Sequence, residues 1–112
     1  MIRIGLLGFG SMGRTHAYCV ENMKYFYKDL PFEACIYGLY TPNHDKTAAL
    51  ARTFGIPCAA GCEDELIFSP DIDVIDICTP NVYHYDTLKK AISAGKHIYC
   101  EKPLCISAAQ AK

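Results

Sequence analysis

The sequence predicts an α/β fold in which helices cover a doubly wound parallel sheet. Two observations carry this. Short apolar runs alternate with amphipathic stretches along the whole chain, and the central runs are too apolar to leave either sheet face in water. The composition agrees: 51% of the 112 residues are hydrophobic and 21% charged, which suits one domain with a real core.

Each element has a local reason. "IRIGLL" (Ile2–Leu7) reads as a buried strand. Met12–Tyr27 reads as a helix with Met12, Cys19, Val20, Met23 and Tyr27 near one side. Glu33–Tyr40 is a second strand. The next helix has Asn43 as its N-cap and Gly55 just past its end. A short strand near Cys58–Ala60 and a short helix at Glu63–Phe68 follow. Asp73–Thr79 is a clear strand, "VYHYDTLKKAISAG" a helix stopped by Gly95, and Lys96–Cys100 the last strand. Ser107 caps a helix beginning at "SAAQAK".

Several function classes are disfavoured. A formal net charge of −1 gives no basic face for nucleic acid. The apolar runs fall well short of the roughly 20 residues a membrane span needs, and the N-terminus lacks a signal-peptide layout. The seven cysteines are odd in number and include no C-x-x-C pair, so they read as reduced structural thiols of a cytoplasmic protein. No Cys, His and acidic set has metal-ligand spacing, and no metal is expected.

Ligands of such sheets bind beyond the carboxyl ends of the strands. After the first strand comes "GFGSMG" (Gly8, Phe9, Gly10, Ser11, Met12, Gly13), a G-x-G-x-x-G followed directly by a helix. The first glycine allows the tight turn, the second leaves room for a pyrophosphate, and the third lets helix and strand pack closely. The helix N-terminus adds free N–H groups and partial positive charge. The alternative is a glycine-rich turn kept for packing. A ribose-binding acid is expected at the end of the second strand. Asp29 has the usual interval but precedes that strand, and the position itself is Thr41, followed by Pro42. An acid there would favour NAD; Thr41 leaves NAD and NADP both open. His44 and Lys46 lie just beyond, either near a 2′-phosphate or as a solvated helix start.

At the third clear strand's end, Thr79, Pro80 and Asn81 either offer hydrogen bonds to a cofactor or merely turn the chain and cap the helix. His84 begins that helix. The last strand ends in Glu101-Lys102-Pro103. The Lys102 ammonium can bond a substrate oxygen and stabilise negative charge there; the other reading is a solvated surface lysine. His16 is expected to be packed and hydrogen-bonded, and His97 structural.

Together, "IGLLGFGSMGRTHA", "DVIDICTPNVYH" and "AGKHIYCEKPL" resemble, in order and spacing, the glucose–fructose oxidoreductase/inositol dehydrogenase (Gfo/Idh/MocA) family. The resemblance covers essentially the whole chain and implies an NAD(P)-binding Rossmann domain over residues 1–112. It implies Gly8, Gly10, Ser11 and Met12 at the pyrophosphate, and Thr79, Pro80, Asn81 and His84 on the ribose and nicotinamide side. Glu101 and Lys102 would lie at the nicotinamide, with Lys102 as the catalytic residue at the substrate oxygen. The implied activity is hydride transfer with a sugar, cyclitol or related polyol, in a homo-oligomer. Family members are roughly three times as long, so a truncated sheet lacking its last strand, an absent substrate domain, self-association and an inactive fragment are expected. A non-catalytic NAD(P)-sensing module is the competing reading.

Overall fold

The computed structural model describes residues 1–112. Its strands are β1 (Ile2–Leu7), β2 (Ala34–Tyr40), β3 (Cys58–Ala59), β4 (Val74–Ile77) and β5 (His97–Cys100). All neighbouring pairs are parallel, in the order β3-β2-β1-β4-β5. The chain winds outward from β1 to β3, then returns past β1 to β4 and β5. The direction of winding therefore reverses between β1 and β4, where such sheets open a crevice.

Five helices accompany the strands: α1 (Ser11–Phe26), α2 (His44–Phe54), α3 (Glu63–Ile67), α4 (His84–Ser93) and α5 (Ala108–Ala111). None is long and apolar enough to cross a membrane. Leu6 and Leu7 alternate across β1 and seed two cores. On one face Leu7, Ile75 and Ile77 meet Leu66 and Ile67 of α3 and Ala91 of α4. On the other, Leu6, Phe9 and Leu39 meet Ala51 of α2, with Ala17 of α1 against them. The sheet is thus covered on both faces, as the apolar strands require.

Local signals set several ends. The Asn43 Oδ1 accepts the Lys46 N–H at 2.9 Å, and Gly55 closes α2 at φ 67°. The Ser107 hydroxyl accepts the Gln110 N–H and starts α5.

Three expectations need correction. The helix anticipated from Val82 divides into a 3₁₀ turn over Asn81–Tyr83 and then α4. Pro80 leaves the chain extended at ψ 142°, and the tight Tyr83 N–H to Pro80 carbonyl bond completes the turn. The inward side of α1 is Gly13, His16 and Ala17; of the anticipated face Val20 and Met23 are half-buried, whereas Met12, Cys19 and Tyr27 are exposed. Close packing at Gly13 sets that rotation, not the helix's own hydrophobic pattern. His97 also faces solvent. All seven cysteines are free; Cys19 and Cys62 are exposed, while burial pushes the Cys58, Cys78 and Cys100 thiols up.

Candidate functional site

The glycine loop joins β1 to α1 where the sheet opens. Its three glycines meet different constraints. Gly8 sits at φ +94°, and a Cβ there would lie 2.7 Å from the Cys78 carbonyl oxygen. A Cβ on Gly13 would overlap the Gly8 carbonyl, so the first turn of α1 rests directly on the loop. A Cβ on Gly10 would meet nothing within 4 Å. The first and third glycines thus serve the protein's own packing, and the second faces open space. No side chain caps the N-terminus of α1 and no acid stands in its first turn. Its first N–H groups and the positive end of its dipole therefore remain available to an anion.

A cleft of about 1160 Å³ lies over this loop. Gly8, Phe9, Gly10, Ser11 and Met12 border it, with Thr41 across from them and Thr79 and Pro80 beside them. Gly13 lies beneath the loop, and Asn81, His84, Glu101 and Lys102 do not border the cleft. Phe9 borders the cleft although it is buried, its side chain packing in the core.

Thr41 is buried, and its hydroxyl is engaged: Oγ1 lies 2.7 Å from the Thr47 Oγ1 and 3.1 Å from the Asn43 carbonyl. No carboxylate stands at the end of β2. Lys46 borders the cleft and makes no ion pair, whereas Lys90 binds Glu63 at 2.8 Å and Asp64 at 2.7 Å. Sequence reasoning did not find the Glu63–Lys90 wall, because its partners lie on different helices.

The two later strand ends are tied together by His84, which is 1% exposed. Its Nδ1 lies 2.9 Å from the Pro103 carbonyl and its Nε2 lies 2.8 Å from the Thr79 carbonyl. The ring therefore bridges the loop after β4 and the loop after β5. Next to it, the Thr79 hydroxyl is buried with no hydrogen-bond partner, a costly state for a polar group. Lys102 is exposed, and the Lys102–Pro103 bond is cis.

A second group of side chains lies beneath the strand ends, on the α1 side. The His16 Nδ1 is 3.0 Å from both Asp76 carboxylate oxygens, and its Nε2 is 3.1 Å from the Glu101 Oε1. The Cys78 thiol donates to Asp76 at 3.4 Å, and its Sγ is 3.2 Å from the His16 Nδ1. The donor atoms of His16, Asp76 and Cys78 all lie within 4.8 Å of one another, and their mutual hydrogen bonds account for that closeness. The packed, hydrogen-bonded place expected for His16 is the one it occupies. Asp76 was missed. Its signal was an acid in the middle of the apolar run "VIDIC", where a charge is tolerated only with partners.

Burial raises the Asp76 carboxyl above its usual range, although the His16 hydrogen bond pulls the other way. The folded chain therefore holds this proton more tightly than the unfolded chain does. The contribution of Asp76 to stability is greatest below the unfolded value of about 4 and falls as pH rises through the raised one. Urea unfolding of wild type and Asp76→Asn should show it. The wild-type advantage over the variant is expected to shrink as pH rises from about 4, then level off. A difference that is flat, or that grows with pH, would disprove the assignment.

The comparisons with known proteins agree with this geometry. Residues 2–112 match the model of an oxidoreductase family, the NAD-binding Rossmann fold of Gfo/Idh/MocA proteins. Levoglucosan dehydrogenase from Pseudarthrobacter phenanthrenivorans is 35% identical over 111 residues, covering 99% of this chain and 28% of the relative. Myo-inositol 2-dehydrogenase from Thermotoga maritima is 30% identical, covering 96% of this chain and 30% of the relative. The crystal structure of an NAD-binding oxidoreductase from Klebsiella pneumoniae superposes with a TM-score of 0.93 at 41% identity, covering 98% of this chain and 29% of that one. The chain thus spans under a third of the length of these relatives. With its glycine loop, switch-point cleft and parallel sheet, it belongs to the Gfo/Idh/MocA oxidoreductase family, whose NAD-binding Rossmann domain it forms.

Proposed function

We propose that this chain is the cofactor-binding half of an NAD(P)-dependent oxidoreductase acting on a sugar, cyclitol or related polyol or ketone. The observation that carries the reading is the cleft floor. Gly10 leaves open space where a pyrophosphate would meet the N-terminus of α1, and the Thr79 hydroxyl lacks a partner beside it. The residues present fit a dinucleotide. Gly8, Gly10, Ser11 and Met12 would hold its phosphates, with Phe9 and Gly13 shaping the loop. Thr41 would border the ribose, while Thr79, Pro80 and Asn81 would line the nicotinamide side. His84 would keep those loops in register, and Glu101 would stand next to the reacting edge. When bound, the nicotinamide accepts or donates the hydride. The relatives' names, levoglucosan dehydrogenase and myo-inositol 2-dehydrogenase, support a polyhydroxylated substrate.

Lys102 is the catalytic residue in this reading. It is exposed and makes no ion pair, so its ammonium is free to donate to the substrate oxygen and stabilise charge there. Groups that complete proton transfer and the substrate pocket would come from outside this chain, which alone would be inactive. Either NAD or NADP suits a β2 end with no carboxylate and with Lys46 nearby. A cytoplasmic homo-oligomer completes the proposal.

A second reading, a non-catalytic NAD(P)-sensing module, draws on the position of Lys102 outside the cleft. The test is to titrate the intact protein with NADH and NADPH, then assay oxidation of myo-inositol and levoglucosan by NAD+ or NADP+ with wild type and Lys102→Ala. The catalytic reading expects unchanged cofactor affinity and a turnover loss of about 100-fold or more. Equal turnover by the Lys102→Ala variant would remove Lys102 from the mechanism. Cofactor binding without turnover of either polyol would favour the sensing module.

A further inference from the structure

We propose that His16 is a positioning residue that latches the phosphate-loop helix to the strand end bearing Lys102, by holding the Glu101 carboxylate. The proposal rests on the cofactor reading above and assigns His16 a task within it.

The geometry is specific. His16 lies one turn after Gly13 on the helix whose N-terminus forms the loop. Its Nε2 reaches Glu101, whose neighbour in the chain is Lys102. Its Nδ1 is held by Asp76, from the strand between β1 and β5. Tyr99 stacks on the ring at 4.8 Å between centroids and 18° between planes, fixing its tilt. Asp76 and Tyr99 are register partners in neighbouring strands, so both act on His16 from one sheet face. The ring is gripped on three sides and can offer Nε2 in only one direction.

Stability alone does not explain such a group. Two carboxylates and an imidazole at 2%, 19% and 9% side-chain exposure carry a desolvation cost that apolar side chains of similar volume would avoid. A costly polar cluster beside a cleft points instead to function. What it fixes is the direction in which the chain leaves β5. Misplacing a reacting group by about 1 Å can cost on the order of 100-fold in rate. With the latch closed, the helix under the phosphates and the strand end carrying Lys102 move as one body.

Two variants separate this role from mere packing. Glutamine at position 16 extends an amide toward the site of Nε2 and keeps the Glu101 contact, while asparagine places one near Nδ1 and keeps only the Asp76 contact. The latch predicts that His16→Gln retains turnover within about fivefold. His16→Asn should lose tenfold or more in kcat for polyol oxidation, with KM for the oxidised cofactor unchanged within about threefold. A packing role predicts the reverse order, since asparagine preserves the more deeply buried bond. That reverse order would overturn the proposal.

A second measurement needs no cofactor and no substrate. Urea midpoints of wild type, His16→Asn, Glu101→Ala and the double variant form a cycle in the apo protein. Non-additive losses are expected, with little further loss from Glu101→Ala once His16 is gone. Additive losses would dismiss the latch even if neither polyol is turned over. Failure of wild type to bind either NADH or NADPH would sink the cofactor reading instead and leave this cycle as the judge of the contact. Should the asparagine variant not fold, Glu101→Ala replaces it in the kinetic comparison and is expected to lose tenfold or more in kcat. Wild-type turnover by the Glu101→Ala variant would overturn the proposal.

Discussion

Gly10→Val is expected to leave the fold intact and weaken NADH binding roughly 100-fold or more. Gly10 has φ −76° and ψ −159°, an extended conformation open to valine. An added Cβ meets no atom within 4 Å beyond its immediate chain neighbours, so the position has room for a side chain. The thermal midpoint should stay within about 2 °C of wild type, as for a substitution costing under about 0.5 kcal/mol. The cofactor would not be spared. Valine occupies the approach to the N–H groups at the start of α1, and losing that contact plus a steric conflict amounts to about 3 kcal/mol or more, roughly 100-fold in affinity. Thermal scanning and NADH fluorescence titration measure the two effects separately. A Gly10→Val protein that binds NADH like wild type would place the dinucleotide elsewhere.

Two residues earlier, Gly8→Ala is expected to do the opposite and damage the fold first. The residue sits at φ +94°, where an L side chain costs about 1–2 kcal/mol. Its Cβ would also press on the Cys78 carbonyl oxygen and carbon at 2.7 and 2.8 Å, backbone that cannot rotate aside. Overpacking of that kind adds about 1–3 kcal/mol. Together they amount to about 3 kcal/mol, a fall in the thermal midpoint of about 10 °C for a domain this size. Denaturant titration of the Gly8→Ala protein checks it. Wild-type stability would mean that the turn has a second conformation of equal energy. The contrast matters more than either result: two glycines of one motif, one required by the protein's own packing and the other, on the proposed reading, by its ligand.

How much of this was legible in the sequence depended on distance along the chain. Caps and turns are decided by neighbours, so Asn43, Gly55 and Ser107 announced their helix ends. Strand identity was equally local, because runs such as Ile2–Leu7 must be buried on both faces. The rotation of α1 was not local. Its apolar pattern suggested a face through Met12 and Cys19, which are exposed; the inward side instead runs through Gly13, packed on the Gly8 carbonyl, and Ala17, with His16 buried as expected. The site divided the same way. The glycine loop is contiguous and could be read directly. The His16 group joins residues separated by 60 and 85 positions, which no spacing rule connects. Only the apolar setting of Asp76 hinted that a partner had to exist. His84 was singled out for its place at a helix start, but its bonds to two carbonyls depend on how two loops converge.

The strand order has a consequence for how the molecule comes into being. The glycine loop is made first during synthesis, yet at that moment it has no crevice to belong to. Its neighbouring wall, Thr79, follows β4, which pairs with β1 on the side away from β2 and β3 and is synthesised after both. Glu101 comes later still. Contacts so distant in sequence form slowly, because a long segment of chain must be confined before any of them is rewarded. A dinucleotide therefore has nothing complete to hold until the sheet has closed on both sides of β1. Binding would protect the domain as a whole, by mass action on the finished state, rather than guide its early assembly.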